Sequence, residues 1–233
     1  MSKPLICLDA GHYKNTPGKR CLKSIDPKET REWALNSRIA EYVTEELKKY
    51  NCDVMRADDM TGAKDIQLGE RVSRANKAKA DYYISIHHNA GIKGGSGGGI
   101  CIYIAPNASE TSKKLQKAVY NGTIKYTGLK GNRSNPLPTS NLYVCRYTVM
   151  PAILGEFGFM DSTKDTPIII TDEFARNCAK GIVEGLAEVA NLEKVASPRY
   201  KVQVGSFKNR DYAEDLRDEL KGKGYDAFIV ETN

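Results

Sequence analysis

The sequence predicts an α/β fold: a twisted, mostly parallel or mixed sheet flanked by helices, with a small C-terminal βαβ unit. Two patterns lead there. Over the first 190 residues short apolar runs alternate with longer amphipathic ones, as expected where strands and helices take turns along a chain. After residue 198 a shorter passage repeats that order once, strand-like, helical, strand-like. The 233 residues are 40% hydrophobic and 27% charged with the signs interspersed, which suits a chain with a buried core and excludes disordered and fibrous classes.

The elements follow in order. PLICLD (4–9) reads as a buried strand. In 33–50, Leu35, Ile39, Val43 and Leu47 share one helical face. CDVMRA (52–57) is a second strand, 66–79 a basic amphipathic helix, and DYYISIHH (81–88) a third strand. Six glycines between 91 and 99 mark a flexible loop, since GGSGGG lacks the GK[ST] of a phosphate-binding loop. GICIYIA (99–105) is a fourth strand, 109–127 a helix, NLYVCR (141–146) a fifth strand, PAILGEFGF (151–159) the last, and 172–190 the closing helix. Residues 1–190 thus form one domain, 191–198 a polar linker ended by Pro198, and 199–233 the small unit. A unit of that length, under about 40 residues, does not fold alone and must pack on something.

Charge and cysteines narrow the function. Lys plus Arg number 35 against 29 Asp plus Glu. Residues 197–233 hold seven of each sign, so the whole excess of 6 sits in the first 196 residues. That excess is too small for a dedicated nucleic-acid binder and favours an acidic surface as partner. No apolar run approaches the roughly 18 residues of a membrane span, and the start, MSKPLICLDAGH, is too short in apolar residues for a secretory signal. The expectation is a chain made in the cytoplasm, without membrane insertion. Six scattered cysteines with no CxxC pair read as free thiols.

The three histidines carry the chemistry. His12 follows the first strand, and His87 and His88 end the third. In open α/β sheets ligands gather outside the carboxyl ends of strands, so His12 and one of the other two can converge. Glu156 lies in the apolar run PAILGE, where a carboxylate is paired, protonated or catalytic. Two imidazoles and a carboxylate make the three-ligand set of a catalytic zinc. The ligating carboxylate is Glu29 or Glu32, both at the start of the first helix. Chain spacing alone does not choose between them, nor between His87 and His88. Arg71, Arg74, Lys77 and Lys79 read as a solvated helix face that can meet an anionic polymer.

LDAGH (8–12), REWALN (31–36), the spacing of Leu68, Arg71, Ala75 and Asn76, SIHHNA (85–90) and PAILGEFGFMD (151–161) resemble, in order and register, the catalytic domain of zinc-dependent N-acetylmuramoyl-L-alanine amidases of bacterial walls and phage endolysins. The resemblance covers residues 4–190. It departs after the first histidine, where YKNTPGKRC stands in place of a glycine-rich stretch, which touches the rim of the cleft and not the chemistry. It implies zinc on His12, Glu32 and His87, Glu156 as the catalytic carboxylate, and peptidoglycan as substrate. The bond would be the amide between N-acetylmuramic acid and the first L-alanine of the stem peptide. VQVGSF, a helix and KGKGYDAFIV resemble the first half of a SPOR repeat, which implies glycan binding. Two such halves from two chains would complete one sheet and make a homodimer. The expected role is a phage or prophage endolysin, held in the cytoplasm until lysis and acting on the wall. A sporulation autolysin, a catalytically silent wall-binding protein with a structural metal, and a metallopeptidase, which lacks its HExxH, are the competing readings.

Overall fold

The computed structural model describes residues 3–195 and 202–231. Their contacts divide the chain into two units, 1–195 and 196–233. The first contains β1 (Leu5–Ala10), α1 (Glu32–Leu47), β2 (Asp53–Arg56), α2 (Leu68–Ala78), β3 (Tyr82–Asn89) and β4 (Ile100–Tyr103). It continues through α3 (Glu110–Thr127), α4 (Tyr143–Tyr147), β5 (Ala152–Phe159), α5 (Thr166–Ile169) and α6 (Asp172–Ala190). The five strands lie in the order β2-β1-β3-β5-β4, all parallel except β4, which runs against β5.

The sheet is buried on both faces, which is why its strands read as continuous apolar runs. Ile6 and Leu8 of β1, Ile84 and Ile86 of β3 and Phe157 of β5 pack with Leu35, Ile39 and Val43 of α1, Leu115 of α3 and Ile182 of α6. Cys7, Tyr83 and Leu154 on the other face meet Val72 and Ala75 of α2 and Val144 and Cys145 of α4. The chain leaves β1 through α1 to β2 on one side, then returns through α2 to β3 on the other side of β1. Right-handed crossovers run in opposite directions put α1 and α2 on opposite faces. The strand order therefore reverses between β1 and β3, and the carboxyl ends of those strands are where such sheets bind ligands.

Two expectations are corrected. NLYVCR is not a strand: residues 143–147 form helix α4, which buries Val144 and Cys145 and leaves Tyr143 and Tyr147 paired outside, ring centroids 4.5 Å apart. A run this short carries too little periodicity to separate the two states. The glycine loop is not a loose connection. Gly91 and Lys93 donate their N–H groups to Asp161 (2.8 and 2.7 Å), and Gly99 donates to Asp165 (2.7 Å).

In the second unit the helix forms as α7 (Arg210–Gly222), its N-terminus capped by Asn209. Among the described residues on either side of α7 none is assigned to a strand. Val202, Val204, Tyr225 and Val230 are exposed. Residues 196–198 of the predicted linker and 200–201 of the tail's first strand lie outside the described residues. Of the six free cysteines, five are buried and Cys52 is half-buried. No described helix is long and apolar enough to cross a membrane.

Candidate metal centre and active site

Three elements deliver the donors. His12 stands two residues past β1 with φ at 69°, a left-handed conformation that non-glycine residues adopt mainly where surrounding structure enforces it. The enforcement is visible. Arg71 of α2 is buried, and its guanidinium donates to the carbonyls of Ala10 (2.7 Å) and His12 (3.0 Å) and to Asp9 Oδ1 (2.6 Å). Its Nε donates to the Ile66 carbonyl (2.7 Å), while Asp9 Oδ2 accepts from Ser85 Oγ of β3 (2.8 Å). Arg71 is thus no part of a solvated face, as the sequence suggested; it clamps the end of β1 from below.

His87 occupies β3 level with Glu156 of β5. Paired residues of neighbouring strands point to the same face, so the two side chains share the cleft. The His87 ring lies directly over Gly11. A Cβ on that residue would fall 2.1–2.4 Å from three ring atoms, so LDAGH requires its glycine to make room for the imidazole. Glu32, the first residue of α1, reaches in between the histidines. Its Oε1 lies 3.1 Å from His87 Nδ1 and accepts the His88 N–H (3.2 Å), and its Oε2 lies 3.3 Å from His12 Nε2 and 3.5 Å from Lys19 Nζ. The two histidine rings meet edge-on at 5.0 Å.

The residues left undecided by sequence separate clearly in space. Glu29 pairs with Arg20 at the surface (3.3 Å). His88 turns to the α1 side, where its Nδ1 lies 2.8 Å from Asn36 Oδ1, and burial pushes its imidazole down to about 3. Asn36 also donates to the Gly11 carbonyl (3.1 Å) and so ties the ends of β1 and β3 together. His88 is a neutral structural group; His12, Glu32 and His87 are the cluster.

That cluster fits a metal ion. Its three donor atoms lie within 4.8 Å of one another, and His12 Nε2 and Glu32 Oε2 are buried without a hydrogen-bond partner. Orphaned polar atoms of this kind call for a missing partner, and an acceptor set of two imidazoles and one carboxylate is what a dication satisfies. Burial pushes the Glu32 carboxyl up, but the imidazoles of His12 and His87 outweigh it and hold the group well below the usual carboxylate range. Glu156 behaves oppositely. Burial, opposed by His87 and reinforced by Glu32, pushes its carboxyl up to about 7, and its Oε2 also lacks a partner. Two carboxylates with divergent protonation, one anionic beside the imidazoles and one poised near neutrality, are suited to separate tasks of binding and proton transfer.

Sequence reasoning missed Gly11, Asn36, Asp9, Ser85 and Arg71 as supports, although all five lie inside the quoted motifs. For Arg71 a signal existed: it falls on the same arc of α2 as the buried Val72 and Ala75.

Known proteins resemble this chain in sequence and in fold. The sequence profile of the N-acetylmuramoyl-L-alanine amidase family matches residues 6–188, and that of the SPOR domain residues 196–233. The N-acetylmuramoyl-L-alanine amidase CwlM of Bacillus licheniformis is 31% identical over 225 residues, 97% of this chain and 84% of that protein. The sporulation-specific N-acetylmuramoyl-L-alanine amidase of Bacillus subtilis (strain 168) is 30% identical with the same coverage. The endolysin of Bacillus phage SPP1 is 34% identical over 128 residues, 55% of this chain and 47% of the endolysin. Among solved structures, N-acetylmuramoyl-L-alanine amidase from Clostridium difficile 630 superposes with a TM-score of 0.73 at 28% identity, covering 82% of this chain and 98% of that one.

Proposed function

Because the chain belongs to the N-acetylmuramoyl-L-alanine amidase family, we propose that it is a zinc-dependent hydrolase of peptidoglycan. The bond it cleaves is the amide between N-acetylmuramic acid and the L-alanine of the stem peptide. The observation that carries this reading is the meeting of His12, Glu32 and His87, donor atoms within 4.8 Å, beside a carboxyl pushed up to about 7. When bound there, zinc supplies Lewis acidity, which makes a water more acidic and polarises a carbonyl.

The chain's own groups do the rest. His12, His87 and the anionic Glu32 would hold the ion. Glu156 Oε2 takes a proton from the attacking water and returns it to the departing amine nitrogen, a cycle that works best with a carboxyl balanced near the working pH. Arg71 and Asn36 keep the ends of β1 and β3 in place while this happens. The test is release of free L-alanine amino termini from purified peptidoglycan. Wild type should release them and Glu156→Ala should not; full lysis by Glu156→Ala would overturn the assignment, and a wild type that binds the wall without cutting would favour the silent wall-binding alternative.

Similarity to the SPP1 phage endolysin supports an endolysin role. Similarity to the sporulation-specific amidase of Bacillus subtilis, which extends over 97% of this chain, supports a sporulation autolysin. The tail, matched by the SPOR profile, is assigned to glycan binding and to pairing with the tail of a second chain, which would cover the exposed Val202, Val204, Tyr225 and Val230. Light scattering at micromolar concentration should give a dimer mass that becomes monomeric when residues 197–233 are deleted. A monomer in both cases excludes the pairing.

A further inference from the structure

The glycine loop and an arginine beside it have no part in the chemistry above. The loop docks backbone to backbone on the segment after α3. Gly98 donates its N–H to Asn132 Oδ1 (3.0 Å), and the Asn132 N–H returns to the Gly98 carbonyl (3.2 Å). The approach is so close that a Cβ on Gly99 would lie 2.4 Å from the Lys130 carbonyl oxygen, and one on Gly131, at φ 66°, would lie 2.1 Å from the Gly98 oxygen. Asp165 fastens this assembly to the sheet by accepting from both Gly99 (2.7 Å) and Phe159 (3.0 Å). What the docked segment carries next is Arg133.

Arg133 is exposed, yet it is placed. Its guanidinium lies 5.3 Å from the centroid of the Phe159 ring, a contact that holds a planar cation without neutralising it. It is also near enough to the buried Cys101 thiol to oppose the upward push of burial on that group. Cys101 is the β4 residue directly opposite Glu156, which in turn is level with His87. The row His87, Glu156, Cys101 therefore runs from the donor cluster across β5 to the guanidinium. Among the described residues Arg133 has no carboxylate within ion-pair distance. A fixed, unneutralised guanidinium at the edge of a cleft is suited to bidentate recognition of a carboxylate.

We propose that Arg133 is the anion-recognition residue of the cleft, binding a carboxylate of the peptide attached to the cleaved amide, and that the glycine loop exists to fix its position. The inference rests on the amidase reading and names a specificity determinant within it. A charge-assisted hydrogen bond of this kind is worth about 10–100-fold in affinity.

The test uses two soluble muramoyl peptides that differ only in one carboxylate against the corresponding carboxamide, with the full zinc-loaded chain. Wild type should favour the carboxylate substrate through KM. Arg133→Gln should raise that KM about 10–100-fold, leave kcat within about twofold, and leave the carboxamide substrate unchanged; Arg133→Lys should fall between. Gly131→Ala should reproduce the loss while zinc content stays at the wild-type level. Calorimetric binding of the two peptides is read alongside. Discrimination in binding without any turnover sinks the amidase reading and keeps this one. Equal effects of Arg133→Gln on both peptides, or no effect on the acidic one, overturn the role of Arg133.

Discussion

Arg71→Met is the perturbation whose cost follows most directly from the coordinates. The side chain is 2% exposed and makes four hydrogen bonds, to Ile66, Asp9, Ala10 and His12. Methionine fills similar volume but leaves Asp9, 1% exposed, as a buried carboxylate without its cation. Stranding one partner of a buried pair costs about 3–5 kcal/mol, and for a domain of this size each kcal/mol lowers Tm by roughly 2–4 °C. Calorimetric melting should therefore fall by roughly 6–20 °C. Release of the His12 carbonyl should also weaken zinc, by about 10–100-fold, the usual effect of losing a group that orients a ligand, read by chelator competition. Adding Asp9→Asn removes the stranded charge and should restore part of the lost stability. Melting within about 3 °C of wild type, or a double variant no more stable than Arg71→Met, would refute the clamp.

Two further outcomes follow from the cleft. Gly11→Ala should displace the His87 ring, because the new Cβ would sit 2.1–2.4 Å from it; zinc affinity drops at a stability cost of about 1–3 kcal/mol, and unchanged zinc binding by chelator competition contradicts the contact. In chelator-treated protein the Glu156 carboxyl rises from 4.5 to about 7, so the fold keeps a proton that the unfolded chain has lost. Its stabilisation is complete below about pH 4.5 and gone above about pH 7, a swing of about 3 kcal/mol at roughly 1.4 kcal/mol per unit. Glu156→Gln should gain that much on wild type between those pH values in urea unfolding; parallel stability curves would show that the carboxyl is not perturbed.

The fold was legible wherever burial wrote a long pattern. Both sheet faces are covered, so β1, β3 and β5 read as continuous apolar runs, and α1, α3 and α6 as single-faced helices. Five-residue α4 was not, because two buried positions in sequence fit either state. In the tail the helix was legible as α7, while the apolar alternation beside it signals strands that none of the described residues is assigned to. At the site, residue type and position at strand ends singled out His12 and Glu156 as candidates, and the structure places both at one cleft. The choices between Glu29 and Glu32 and between His87 and His88 depend on which way adjacent side chains point, which spacing along a chain does not record. Arg71 was misread because a lone arginine among surface charges looks solvated until its four acceptors, up to 62 residues away, are seen around it.

Whether His12, Glu32 and His87 form one metal centre is measured directly by elemental analysis of the purified chain and its variants. Wild type, Glu156→Gln and His88→Gln should each hold about one zinc per chain, while His12→Ala, Glu32→Ala and His87→Ala, each shown to be folded by its far-UV dichroism, should hold none. Zinc retained in folded His12→Ala or Glu32→Ala, or lost in Glu156→Gln, would contradict the assignment.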